Sequence, residues 1–421
     1  MEKRASKSEF FQERIALLSY FISYGYLTEN DVEEAYRNPE LSWKERVSAI
    51  ENKYHIVDMC CIFNDRIGEL IPRYIYAVKN KELLPKDELE VFWGVREWCN
   101  QRLKEILSRN ITILDFSDKF WIYFILTYSG IINVENQNKY SDREEYDRSC
   151  FLPEYSAKLF DFSKEEMDYS AQKAKAIGIQ EPFICFSNRD SAYLNSIYPQ
   201  ADWSYHDYRD SHIENYEMMT SAFREKSIGA IRMGKAVEHR AEFDNCVDFA
   251  SDYYDEMLDI YLMSRCKMFI GDESGINVLP RALNKPVVTA NLASITGYGG
   301  IPLREDNIFI FKKFYDTKNE RMLNLREMCN VMNECRYDTD EFLKRSIKLV
   351  EDTPEEIRDA AMEMNDYLDG IESYDSEGEN LQKKASYILQ EYFDKLNLGS
   401  NETLVGKIGK KYLKDNSFLL E

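Results

Sequence analysis

"GDESGINVLPRALNKPVVTAN", residues 271–291, follows the apolar run Met268-Phe269-Ile270 and contains a second one, Pro286-Val287-Val288. It reads as strand, polar loop, one or two helical turns, strand. Strands joined through a helix pair in parallel, so this stretch places the chain in the α/β class. Its loop holds two acids, a serine and a glycine, where a phosphate-wrapping loop is rich in glycine. Taken alone it is either a tight connection or one wall of a binding site.

The same alternation extends in both directions. "SKEEMDYSAQKAKAIGI" (163–179) predicts a helix with Ser163 as N-cap, and "PFICFS" (182–187) is a continuous apolar run suited to a buried parallel strand. The helix "IENYEMMTSAFREKS" and the strand "IGAIRM" follow, then the helix "DYYDEMLDIYLMSRC" and the strand "KMFIGD". "KPVVTAN" and "DNIFIFKKF" supply further strands. Together they predict a doubly wound parallel sheet. Thr353, Pro354 and Glu356 form the signature of a capping box with proline at the first helical position. Asp338-Thr339-Asp340 reads as an N-cap region rather than a metal motif.

Residues 8 to about 108 read as helical almost throughout, with Thr28 as a cap and the adjacent pair Cys60-Cys61 inside a helical pattern. In "VFWGVREWCNQRLKEIL", Phe92, Val95, Trp98, Leu103 and Leu107 fall at helical intervals, and such aromatic stripes are most simply core. "ITILDF" (111–116) and "FWIYFILTYSGIINV" (120–134) fit strand or buried helix equally, and 135–158 is a polar loop or linker. The expected organisation is a helical N-terminal domain at 1–110, then a connecting region at 111–160 with room for a reduced acceptor domain. An α/β domain follows at 161–395 and a C-terminal tail at 396–421.

A chain of 421 residues exceeds one ordinary core. Its 54 basic and 75 acidic residues give a net charge of −21, which argues against nucleic-acid binding but leaves room for a local basic pocket. No run approaches the ~18 apolar residues of a membrane-spanning helix, and the N-terminus lacks the apolar stretch of a signal peptide. Nine cysteines without C-x-x-C spacing predict reduced thiols and a cytoplasmic location; with four histidines they show no zinc-ligand spacing.

In an open α/β sheet, ligands bind beyond the carboxyl ends of the strands. That rule gathers Arg189 and Asp190 after the first strand, Tyr193, His206 and Arg209 in the loop that follows, and Arg232 and Lys235 after the second. Asp272, Glu273, Ser274 and Gly275 come after "KMFI". The arginines and Lys235 suit a diphosphate, Arg offering paired N–H donors. Ser274 and Gly275 open a helix whose N–H groups favour anions. Asp272 and Glu273 are expected to face sugar or ribose hydroxyls, and Asp190 or His206 to act as base; each acid equally suits a structural role. The absence of G-x-x-x-x-G-K-[ST], of G-x-G-x-x-G after a strand and of G-x-S-x-G argues against P-loop enzymes, ordinary dinucleotide dehydrogenases and α/β-hydrolases.

These stretches resemble a family of bacterial glycosyltransferases of the GT-B type, associated with surface polysaccharide and glycoconjugate synthesis. The resemblance rests on R-D-x-x-Y-L (189–194), H-D-Y-R-x-S-x-I-x-x-Y (206–216), I-R-M-G (231–234), D-x-Y-L (259–262), S-G (274–275) and N-K-P (284–286). It covers roughly 160–370. It implies a GT-B-like fold whose C-terminal domain binds a nucleotide-sugar, without a metal or other cofactor, beside a second nucleotide-fold domain for the acceptor. No full set of strand–helix units is legible before residue 160, so that acceptor domain is expected to be reduced, largely helical or partly supplied by another subunit. The expected function is transfer of a sugar from a nucleotide-sugar to a glycan, lipid-linked or protein acceptor. Peripheral placement at the inner membrane face and homo-oligomerisation through the helical region are compatible with it. The rival reading is a non-catalytic nucleotide-sugar-binding scaffold or sensor with a helical interaction module.

Overall fold

Every strand expected between residues 180 and 315 forms in the computed structural model, which describes residues 7–23, 25–39, 41–116, 119, 121–128, 132, 159–294, 307–335, 338–371, 375–395 and 406–421. The chain divides into two compact units, residues 1–150 with 159–161 and residues 151–158 with 162–421. The polar stretch 135–158 lies outside the described residues.

Among its described residues the first unit is mostly helix, yet it is built on a parallel sheet. Strands β1 (His55–Ile62), β2 (Glu88–Gly94) and β3 (Thr112–Leu114) pair in the order β1-β2-β3. Helix Ile67–Leu83 connects the first two and Gln101–Leu107 the last two. Cys60-Cys61 therefore lies in a strand, as does the "VFWG" that was expected to be helical. Val91, Phe92 and Trp93 are all buried, and a strand covered on both faces shows no alternation to betray it. "WIYFILT" forms the buried helix Trp121–Thr127, so both it and β3 belong to this unit rather than to a connecting region. The aromatic stripes are core: Phe21 meets Tyr26, Phe63, Trp93 and Trp121 edge-on, with centroids 5.1–6.4 Å apart. Thr28 caps its helix in a reciprocal box with Asp31.

The second unit holds a seven-stranded, all-parallel sheet: β4 (Phe183–Ser187), β5 (Gly229–Arg232), β6 (Cys246–Asp248), β7 (Phe269–Gly271), β8 (Val287–Leu292), β9 (Ile308–Phe311) and a late strand at Lys407–Ile408. All five residues of β4, all six of β8 and all four of β9 are buried. Between β9 and the late strand, β10 (Lys313–Asp316), β11 (Arg321–Met322) and β12 (Ile347–Val350) form a small antiparallel sheet, which makes the late strand β13. The order β13-β9-β8-β7-β4-β5-β6 reverses direction between β4 and β7. Ser163 and Thr353 cap their helices in reciprocal boxes with Glu166 and Glu356, and Asp338 caps Thr339–Lys344.

Residues 406–421 of the expected tail are built into the second unit. Ile408 pairs with Phe309, Tyr412 donates from its hydroxyl to the Phe311 carbonyl at 2.8 Å, and Leu413 and Leu419 are buried. Apolar residues spaced as Ile408, Tyr412, Leu413 and Leu419 need a core to enter, and the open edge of β9 provides it. Among the described residues no helix is long and apolar enough to cross a membrane.

Candidate functional site

The crevice at the strand-order reversal is where two neighbouring strand ends diverge, and it is the favoured ligand position in such sheets. Ser187 at the end of β4 lies beside Gly271 at the end of β7, so Asn188-Arg189 and Asp272-Glu273 leave the sheet side by side. Gly271 permits this approach: a Cβ there would stand 2.7 Å from the Phe269 ring, 2.8 Å from Asn277 Oδ1 and 3.1 Å from Ser187 Oγ. The loop of the opening stretch is thus pressed against β4.

Asp272 is the knot of that junction. Its fully buried carboxylate accepts from the Arg189 backbone N–H at 2.8 Å, from Asn291 Nδ2 at 2.8 Å, and from the hydroxyls of Ser211 and Tyr216. Burial raises its pKa, against the pull of these donors. Asn291 holds a left-handed backbone (φ 51°), which asparagine tolerates, and exchanges hydrogen bonds with Asp352 at 2.6 and 2.8 Å. Four partners commit Asp272 to joining three other segments: the β4 loop, the stretch 211–216 and the end of β8.

Glu273 differs. One oxygen accepts from the backbone N–H groups of Ala293 and Ser294 at 3.1 and 3.0 Å. Burial pushes its pKa up to about 7, while the charges of Arg209 and Arg189 oppose the rise. Arg189 is itself buried and paired with Asp210; burial, then the neighbouring Arg209, lowers its pKa to about 10. Around Glu273, three buried polar atoms have no hydrogen-bond partner among the described residues: Arg209 Nε, Ser274 Oγ and Ser294 Oγ. Buried donors nearly always have acceptors, so this cluster calls for one. Two like-charged guanidiniums beside a cluster of orphan donors have the chemistry to accept an anion.

The remaining predicted residues divide. The Arg232 side chain is fully buried, donating to Asn188 Oδ1 at 2.9 Å and to the His239 carbonyl, with Asp248 at 3.5 Å and Asp190 at 3.9 Å. Its guanidinium braces β5, β6 and the β4 loop together. Lys235 stands 3.9 Å from Glu256 and 5.8 Å from the Tyr254 ring, beyond β5. Asp190 accepts from the backbone N–H groups of Ala192 and Glu238 at 3.1 and 3.0 Å. Tyr193 is half-buried on the short helix Ala192–Ile197. His206 stacks parallel to Trp203 with centroids 6.2 Å apart. Gly275 is exposed and begins a short helical turn with Ser274 as its cap residue. Sequence reasoning gave no site role to Asn291 or to Lys312, a buried lysine that donates to the carbonyls of Tyr208 and Asp210 and so fixes the Arg209 loop. Burial lowers the pKa of Lys312. Its only signal in sequence was a lysine directly following the apolar run of β9.

No family model and no curated protein matches the chain. Among solved structures it is similar to the ADP-heptose LPS heptosyltransferase II of E. coli, at 12% identity over 69% of this chain and 98% of that one, with a TM-score of 0.41. It is also similar to the family 9 glycosyl transferase of Veillonella parvula DSM 2008, at 10% identity over 73% and 96%, with a TM-score of 0.44. The wall teichoic acid polymerase TagF (H548A) aligns at 9% identity over 93% and 100%, with a TM-score of 0.29. These values are low, and neither the topology nor the site chemistry rests on them.

Proposed function

We propose that this protein is a metal-independent glycosyltransferase of GT-B type that takes its sugar from a nucleotide-activated donor. The observation that carries the reading is the group of orphan donors, Arg209 Nε, Ser274 Oγ and Ser294 Oγ, set beside Arg189 at the strand-order reversal. A diphosphate offers acceptor oxygens and negative charge together, and so suits both. Arg189 and Arg209 hold its charge, Ser274 and the backbone at Gly275 contact its oxygens, and Glu273 meets a hydroxyl of the donor's sugar or ribose. The same electrostatics stabilise the departing diphosphate as the glycosidic bond breaks. Arg232, Asp190 and Asp272 act as positioning residues, and Lys235 lies at the outer limit of the site. Two α/β units, each on a parallel sheet, are what the GT-B plan requires, with the first unit as acceptor domain. The acceptor class is a surface glycan or glycoconjugate, and the location is cytoplasmic.

Calorimetry with nucleoside diphosphates and a panel of nucleotide-sugars tests this. Arg189→Ala and Arg209→Ala are expected to weaken binding at least tenfold, and EDTA to leave it unchanged. Wild-type affinity in both variants would refute the diphosphate assignment. A second reading, a nucleotide-sugar-binding scaffold, draws support from Asp190, whose two oxygens each accept a backbone N–H and are poorly placed to take a proton. Binding of nucleotide-sugars with neither hydrolysis nor transfer would favour it.

A further inference from the structure

Residues Ser204–Arg209 form a 3₁₀ helix, with Trp203 at its N-cap position. Side chains three residues apart eclipse one another in this helix, and one turn rises about 6 Å. Trp203, His206 and Arg209 therefore share one side. The rings of Trp203 and His206 are parallel to within 6°, with centroids 6.2 Å apart, the spacing of one such turn. Arg209, the next member of the column, carries its planar guanidinium into the anion receptor. Tyr205 packs beside the column, 3.9 Å from the His206 ring and 5.9 Å from Trp203, while 40% of its surface stays exposed. Buried Tyr198 supports Trp203 at 5.2 Å. Trp203 Nε1 is a buried donor with no acceptor among the described residues.

An aromatic cluster of two parallel rings, Trp203 and His206, and a third, Tyr205, tilted 34–40° to them, begins one helical turn from Arg209 and suits a ligand with a flat ring attached to its phosphates. A lone aromatic patch would say less. The unsatisfied indole N–H adds a polar demand that ring nitrogens or carbonyls of a base can meet and that hydrocarbon cannot. We infer that Trp203, Tyr205 and His206 form the stacking ledge for the nucleobase of the donor, with Trp203 Nε1 donating to the base edge. This rests on the nucleotide-sugar reading above and adds to it a subsite that selects nucleosides over bare phosphates.

The test compares UDP, ADP, GDP and inorganic pyrophosphate by calorimetry on wild type, Tyr205→Ala, Trp203→Phe and Trp203→Ala, with thermal melts to confirm folding. Tyr205→Ala removes an exposed ring and is expected to fold normally. It should weaken the best-bound nucleoside diphosphate by about tenfold while leaving pyrophosphate unchanged, because stacking acts on the base alone. Trp203→Phe keeps a ring without the N–H and should lose less than Trp203→Ala. Wild-type nucleotide affinity in folded Tyr205→Ala and Trp203→Ala overturns the ledge and leaves the diphosphate site standing. Pyrophosphate bound by wild type as tightly as every nucleoside diphosphate has the same meaning. If wild type binds neither, the nucleotide-sugar reading fails and the ledge fails with it.

Discussion

Glu273 combines full burial, two backbone N–H donors on one oxygen and a pKa near 7, so it changes charge within the ordinary working range of an enzyme. The folded chain retains a proton that the unfolded chain releases near pH 4.5. Stability from this group is therefore fully present below that pH and is lost as pH rises towards 7. Asp259, raised to about 7, and Asp352, raised to about 8, act in the same direction, both through burial. Glu273→Gln keeps an acceptor for Ala293 and Ser294 but cannot ionise. Its melting temperature should match wild type at pH 5 and exceed it at pH 8, by at most about 3 kcal/mol in stability. Donor binding should weaken in the same variant. Parallel melting curves for the two proteins from pH 5 to 8 would show that burial does not hold a proton on Glu273 in this range. Arg232 teaches the opposite lesson about charge. As one letter after an apolar run it looked like a phosphate ligand, yet Asn188, Asp190, Asp248 and the His239 carbonyl surround it. Partner choice of this kind is set by segments that meet only in the folded sheet, so sequence could propose its neighbourhood but not its role.

At the scale of elements, the β4–β7 junction depends on a glycine. Gly271→Ala would force a methyl group into the Phe269 ring and Asn277 Oδ1, and neither is the free end of a flexible side chain. We expect a loss of about 1–3 kcal/mol, read by denaturant unfolding, together with weaker nucleotide binding as the Asp272 knot shifts. Full stability in the variant would mean that the junction is looser than its distances imply. The strands around this junction were legible because each is a continuous apolar run bounded by polar or Gly/Pro punctuation, as "PFICFS" and "NKPVVTAN" show. β6 was not, since Cys246–Asp248 is too short for any pattern. β1 and β2 failed for a different reason. Their buried runs carry apolar residues at spacings that helix and strand templates share, and only the pairing His55↔Glu88 through Ile62↔Gly94 decides between them.

For the molecule as a whole, the last residues complete the second unit. Deleting 396–421 removes β13, the Tyr412–Phe311 hydrogen bond and the buried Ile408, Leu413 and Leu419. Three apolar side chains of that size are worth roughly 5–9 kcal/mol, comparable with the entire stability of an ordinary domain. The truncated chain should be insoluble or melt far below wild type by circular dichroism; an unchanged melt would return this segment to the status of a tail. The α/β class of the second unit followed from its alternating apolar runs and helical segments, and one rule about strand ends gathered the candidate residues beside β4 and β7. The parallel sheet of the first unit and the closing strand of the second are set by pairings that only the folded chain makes.

The placement of β13 also sets a timetable for synthesis. Strands β4 to β9 leave the ribosome in succession, but β13, the outer neighbour of β9, follows only after the whole stretch between Phe311 and Lys407 has been made. At roughly 5–20 residues per second, the outer edge of β9 at Ile308–Phe309 stays unpaired for on the order of 5–20 seconds. A nascent chain in that state presents an exposed strand edge, the kind of surface that holding chaperones shield and that crowded polysomes aggregate. Yield of the folded protein should therefore be more sensitive to translation speed across residues 312–406 than across any earlier segment of equal length.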